Sequence, residues 1–242
     1  GADPSDLNPG ARWQPMSAAH PLGTDARGRD LYGRILYGGR VSLAVGLGVT
    51  LVSVALGLFA GLLAGYVRSC DRIIMQVMDG LMAIPGILLA IALVALWGGG
   101  LGTVILAISI PELPRVVRLV RSVILKARTE LYVEAAISLG APTSRLLARH
   151  LVPNTIAPLL VQGTFVFSSA MLTEAAMSFL GVGLPSEIPS WGTVMAEGRT
   201  FYQLKPGLIL FAGFVLAGTI LSLNILGDAA RDALDAKLAS DR

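Results

Sequence analysis

Histidine and cysteine, the residues that most often hold a structural metal, are scarce in this sequence. Two histidines, His20 and His150, and one cysteine, Cys70, are too few for a structural zinc site or an internal disulfide. No Gly-Lys dipeptide occurs, so the chain lacks a Walker A loop to cradle phosphates. No Gly-x-Ser-x-Gly elbow accompanies the serines, and His150 stands in a basic segment, so an intramembrane hydrolase is a poor reading. What remains is a short segment, Glu130 to Pro153, and two acids inside apolar tracts, Asp79 and Glu174. An ionisable group in a membrane is costly unless it is paired or faces a cavity. Asp79 stands seven residues past Arg72, about 11 Å at 1.5 Å per residue, so pairing near the interface is favoured over lining a polar path. Glu174 lies deeper, and both readings stay open for it.

The elements that must position these residues follow from composition. Of 242 residues, 54% are hydrophobic and 14% charged, against roughly a quarter charged in soluble proteins. A net charge of +3, from arginines set between apolar tracts, suits lipid headgroups rather than nucleic acid. About 20 apolar residues cross a bilayer as a helix. Five spans are predicted at about 41–66, 73–97, 101–125, 156–182 and 206–226, giving an all-α polytopic membrane protein. In the third, Arg115, Arg118 and Arg121 recur on one side, where they can snorkel. Residues 1–40 read as an external polar segment with an amphipathic lead-in, 41–227 as the transmembrane domain, and 228–242 as a cytosolic tail. Residues 1–30 show no signal peptide. Gly57, Gly61 and Gly65 repeat every fourth residue and predict a ridge that another helix approaches closely. Trp191 suits an outer interfacial anchor or a surface touching another protein.

Between the third and fourth spans, Leu131 to Leu139 favours a helix, Gly140 permits a stop, and Pro142, Thr143 and Ser144 offer start chemistry for a second helix. That second helix puts Leu146, Leu147, His150 and Leu151 on one face, opposite Arg145 and Arg149. Periodicity alone allows this face to dock in a groove of a soluble partner or to rest on lipid.

Glu134, Ala135 and Ala136, three further residues, Gly140, then nine residues before His150, Leu151, Val152 and Pro153 resemble the EAA loop of ABC importer permeases. His150 and Val152 replace the usual Ile and Leu, as in the dipeptide and oligopeptide branch. His20 to Asp25 with Gly28, Arg29 and Asp30 resembles that branch's opening signature. Pro189 to Gly192 with Ala196 to Arg199 resembles its loop before the last helix, and Leu226 to Asp228 with Arg231, Asp232, Leu234 and Asp235 its C-terminal end. Glu174, Ala175 and Ala176 repeat the tripeptide, but Gly181 follows after four residues rather than three, inside an apolar tract.

The resemblance implies a non-catalytic subunit of a bacterial inner-membrane importer. Its expected partners are a second, related permease, two cytosolic ATPases that bind ATP and Mg, and an extracytoplasmic substrate-binding protein. No cofactor is expected in this chain. It also implies that the first helix of a six-helix core precedes residue 1. Glu134, Ala135, Ala136, Gly140, Arg145, Arg149, His150 and Pro153 would couple to the ATPases; Asp79 and Glu174 stand as candidates for the translocation path and Trp191 as a candidate for contact with the binding protein, from the readings of those residues given above. Peptides are the expected cargo, with nickel chelates, glutathione or haem as alternatives. A secondary transporter, which would show internal repeats, is disfavoured.

Overall fold

The computed structural model describes residues 8–240, with side chains described through Ala233. The calls on residues 1–7 and 241–242, and on the side chains of Leu234 and Asp235, lie outside what is described. Asp30 starts the first helix, α1 (Leu31–Tyr66), by accepting a 2.8 Å hydrogen bond from the Gly33 amide. This cap satisfies one of the orphan N–H groups of the first turn, and it places the helix start ten residues before the predicted span at Val41. At 36 residues, α1 is about 54 Å long and outreaches a hydrocarbon core of about 30 Å. Its glycine ridge meets α4 (Leu101–Ala127) as the spacing predicts. A methyl group on Gly57, Gly61 or Gly65 would stand 2.5, 2.6 or 2.7 Å from Val116, Val120 or Ile124 respectively.

The predicted second span is broken. α2 (Arg68–Met82) and α3 (Gly86–Trp97) meet at 90°. Pro85 has no N–H to continue the ladder and pushes Ile84 out of the helical region. The 12 residues of α3 cover only about 18 Å. Charged α2 lies along α4, joined by Arg121 to Asp71 at 2.5 and 2.7 Å and by Arg118 to Asp79 at 2.6 Å.

After α4 come α5 (Leu131–Ser138), α6 (Thr143–Leu146), a π-helical turn (Leu147–Leu151), α7 (Val152–Leu180), α8 (Trp191–Thr200) and α9 (Gly207–Ser240). Among the described residues there is no strand beyond an isolated bridge, Thr24 to Asp30. Gly181, at φ +87°, closes α7 in the left-handed conformation that glycine adopts without Cβ strain. Ser190 and Thr193 form a reciprocal capping box at the start of α8. One apolar core joins α1, α3, α4 and α7, and a second joins the start of α1 to α7, α8 and α9.

Three helical runs among the described residues are long and apolar enough to cross a membrane: Leu31–Tyr66, Thr143–Leu180 and Gly207–Ala233. The bent α2–α3 pair makes a fourth if it counts as one span. The predicted third span does form as a helix, α4, but its arginines and internal Pro111 and Pro114 set it apart by composition.

Candidate functional site

α5, the turn and α6 form a helical hairpin at one end of the bundle. Gly140 turns the chain at φ +79°, with no atom within 4 Å of where a Cβ would sit. The demand for glycine there is conformational rather than steric. Glu134, in the first turn of α5, has the sign that a helix N-terminus favours. Glu134, Ala135, Arg145, Arg149 and Pro153 are exposed, while Ala136 and His150 are half-buried.

One expectation is overturned. The face carrying Leu146 and Leu151 does not await a partner, because both are fully buried with Val133 in the core that includes Ile124 and Ala127. The α6 arm runs through the π turn straight into α7, so its apolar face is consumed by its own bundle. The apolar groups left outside belong to the first arm and the turn: Leu131 at 83%, Ile137 at 54% and Leu139 at 88% exposure.

Polar contacts that the sequence did not advertise bolt the hairpin down. Arg128, just past α4, donates to the Gly65 and Tyr66 carbonyls at 3.1 Å each, with its guanidinium 5.3 Å from the Tyr66 ring centroid. It thereby satisfies orphan carbonyls at the end of α1. The Tyr66 hydroxyl donates to Thr143 Oγ1 at 3.2 Å. Asn154 donates from Nδ2 to the Tyr132 hydroxyl at 2.7 Å and to the His150 carbonyl at 2.8 Å, and the Tyr132 and His150 rings lie 5.9 Å apart. A basic residue next to a helix end, and tyrosines flanking the loop, are the signals that could have found these contacts.

The acids picked from sequence have other occupations. Asp79 is exposed and paired with Arg118, a partner that pairing near the interface left unnamed and that α2 reaches because it lies against α4. Glu174 is completely buried, and its carboxylate accepts from Ser190 Oγ at 2.7 Å, Ser178 Oγ at 2.8 Å and Ser42 Oγ at 3.4 Å. These serines tie α1, α7 and α8 together around it and leave no open face for a passing molecule. Trp191 is 4% exposed and donates from its indole to the Ile35 carbonyl at 2.9 Å. It is a packing residue between α8 and α1, which corrects both its expected roles, interfacial anchor and contact for another protein.

At the end opposite the hairpin, the N-terminal segment is pinned to α1 and α8. Asp25 accepts from Arg29 Nε at 2.7 Å and Arg34 Nη1 at 2.9 Å, and both arginines also reach Glu197. Arg34 is 1% and Asp25 2% exposed. Burial by itself would raise the Asp25 pKa. The Arg29 amide and guanidinium, with the Arg27 amide and Arg34, more than offset this and hold it below the ordinary value of 3.8. Among the described residues no group of three His, Cys, Asp or Glu is placed to hold a metal.

This architecture has relatives. The sequence profile of the binding-protein-dependent transport system inner membrane component matches residues 53–240. The chain is 52% identical over 233 residues to a probable peptide ABC transporter permease protein, y4tQ, of Sinorhizobium fredii, covering 96% of this chain and 80% of that one. It is 41% identical to the dipeptide transport system permease protein DppC of Alkalihalophilus pseudofirmus (98% and 78% covered) and 42% identical to the glutathione transport system permease protein GsiD of Pectobacterium atrosepticum (93% and 75%). The fold is shared with a chain of the inward-facing MetNI methionine ABC transporter at TM-score 0.67 and 17% identity, over 84% of this chain and 97% of that one. Profile, relatives and fold agree: the chain belongs to the binding-protein-dependent transport system inner membrane component family, the non-catalytic membrane subunits of ABC importers.

Proposed function

We propose that this chain is one half of the membrane pore of a peptide importer, and that its α5–α6 hairpin is where ATP-driven movement enters the bundle. The observation that carries the reading is the hairpin's construction. It exposes Leu131, Ile137, Leu139, Arg145 and Arg149 while its inner face is cemented to the ends of α1, α4 and α7. A soluble partner gripping the outer face would move three long helices together, which is coupling in the thermodynamic sense. Glu134, Ala135, Ala136 and Gly140 shape the first arm and turn, Arg145, Arg149 and His150 border the docking face, and Pro153 starts α7. The partners are two ATPase subunits on the cytosolic side, a second, related permease beside this one, and a substrate-binding protein on the outer side. In this reading 1–40 lies outside, 41–227 forms the pore half and 228–242 is cytosolic.

Peptide cargo is supported by the high identity to the probable peptide permease of Sinorhizobium fredii. Glutathione, itself a peptide, is the second reading, supported by similarity to GsiD.

The Gly140→Arg variant tests the coupling role. A Cβ there meets no atom but an arginine is strained at φ +79°, so the turn should distort locally while the bundle stays in the membrane, uptake is abolished and the ATPases no longer co-purify. Normal uptake of peptide by this variant would remove the hairpin from the mechanism.

A further inference from the structure

The break between α2 and α3 borders a cavity of about 280 Å³ lined by Pro85, Gly86, Pro111, Glu112, Arg115, Ser169 and Thr173 together with apolar side chains. That volume equals roughly nine waters at about 30 Å³ each, which is enough for the backbone of a very short peptide. Glu112 stands near the middle of α4, 11 residues from its start at Leu101, and is 6% exposed. Its Oε1 accepts from Ser169 Oγ at 2.8 Å and its Oε2 from Arg115 Nη1 at 3.3 Å. The two other ion pairs of α4 close at 2.5 to 2.7 Å, so the pair facing the cavity is the loosest on the helix. A carboxylate offers about four lone-pair sites and a guanidinium five donors, and most of these stay uncommitted here, with the Arg115 side chain 60% exposed. α3 begins at the cavity wall, and its first N–H groups, Gly86 and Ile87, have no partners within the helix. A broken helix whose N-terminus faces a polar cavity favours an anionic group there.

We propose that this cavity is a transit site for the charged ends of a short zwitterionic peptide. The Glu112 carboxylate takes the ammonium group, and Arg115 with the N–H groups at the start of α3 takes the carboxylate. The ligand loosens the Glu112–Arg115 pair and replaces each partner with its own charge, so neither group is left unpaired in the membrane. Asp79 and Glu174 are spoken for by Arg118 and by three serines, whereas Glu112 is a buried acid that opens on space. The proposal rests on the peptide-importer reading, and its test separates the two.

A Cys70→Ser, Thr173→Cys variant, assembled with its partner subunits in lipid nanodiscs, places a thiol at the cavity wall. Ala-Ala should slow its labelling by a small thiol reagent about tenfold or more, a charge-assisted contact being worth at least that factor. N-acetyl-Ala-Ala, which lacks the ammonium, should not. Glu112→Gln should remove the protection and Glu112→Asp partly restore it. Equal protection by the free and acetylated peptides, or none by either while the wild-type complex imports Ala-Ala, overturns the transit site and leaves the peptide reading standing. Protection through Glu112 without any peptide import by the wild-type complex overturns the peptide reading and keeps the site. Neither protection nor import overturns both.

Discussion

At the N-terminal end of the bundle, Asp25, Arg29, Arg34 and Glu197 share a mostly buried network of charges. At the hairpin end the contacts are mainly neutral hydrogen bonds and one arginine on helix carbonyls, with large apolar side chains left outside. The first construction fixes the stretch from Asp25 to Arg34 against Glu197, 163 positions beyond Arg34, and tolerates no missing partner, because a buried charge without its counter-charge is costly. The second holds its inner face and leaves the outer face to another molecule. An end that is closed on itself and an end that is finished by a partner should therefore respond differently to substitution.

The largest effect is expected from Arg34→Ala. It leaves Asp25 with Arg29 alone and strips Glu197 of one partner, and breaking a buried pair costs about 3–5 kcal/mol. Thermal unfolding of the detergent-purified protein should show a large loss; an unchanged midpoint would mean that the network is not buried as described. The same network predicts a pH dependence with a definite sign. The Asp25 pKa is depressed in the folded protein, so its contribution is fully present above the ordinary value of 3.8 and disappears as pH falls below that value through the folded pKa. Stability should hold on acidification to about pH 5, within the plateau this linkage defines. The loss below the ordinary value should be smaller in Asp25→Asn.

At the hairpin end, Arg128→Ala should cost less. It removes two hydrogen bonds from a charged donor that is only half-buried beside an open pocket, where water can replace part of what is lost, so the pair together contributes less than the upper end of about 1.5–3 kcal/mol for each such bond would suggest. Hydrogen exchange should show the last turn of α1 and the first turn of α6 opening together, since Tyr66 bridges them. If exchange at Thr143 is unaffected, the link from α1 to the hairpin is not the one described.

How much of this was legible in the sequence depended on distance along the chain. The glycine ridge of α1 and the turn at Gly140 are local, repeated or conformational signals, and both appear where the sequence puts them. The break at Pro85 was visible as a proline but was absorbed into an apolar run, because hydropathy does not distinguish a straight span from two short helices at 90°. The Arg34–Glu197 contact joins residues 163 positions apart, and no spacing rule reports such a pair. Glu112 lies inside the predicted third span, between Pro111 and Pro114, and nothing in its spacing singles it out. Pro111 and Pro114 sit inside a continuous helix, as the predicted span at 101–125 requires, but hydropathy does not report that this stretch of it lines a cavity. Glu174 illustrates the converse: an acid in an apolar tract pointed to a path, yet three serines, two of them 16 and 132 residues away, enclose it.

The smallest effect on stability, and the sharpest separation of the two ends, is expected at Leu139. Its side chain is 88% exposed beside the turn at Gly140, so Leu139→Ser removes almost no packing within this chain. Surface substitutions of this kind usually stay within about 0.5 kcal/mol. In a free subunit the leucine stands in water whether the chain is folded or unfolded, so the hydrophobic term nearly cancels. A subunit completed by a partner would lose, because the same group is then buried at an interface, at about 25 cal/mol per Å² of area removed from water. Unfolding of the isolated chain and retention of the ATPases on the assembled complex should move apart: the midpoint stays in place while ATPase retention falls several-fold. If both hold, the exposed leucine is ornament and the docking face lies elsewhere on the hairpin; if both fall, the turn is part of the bundle's own core and the contrast between the ends disappears.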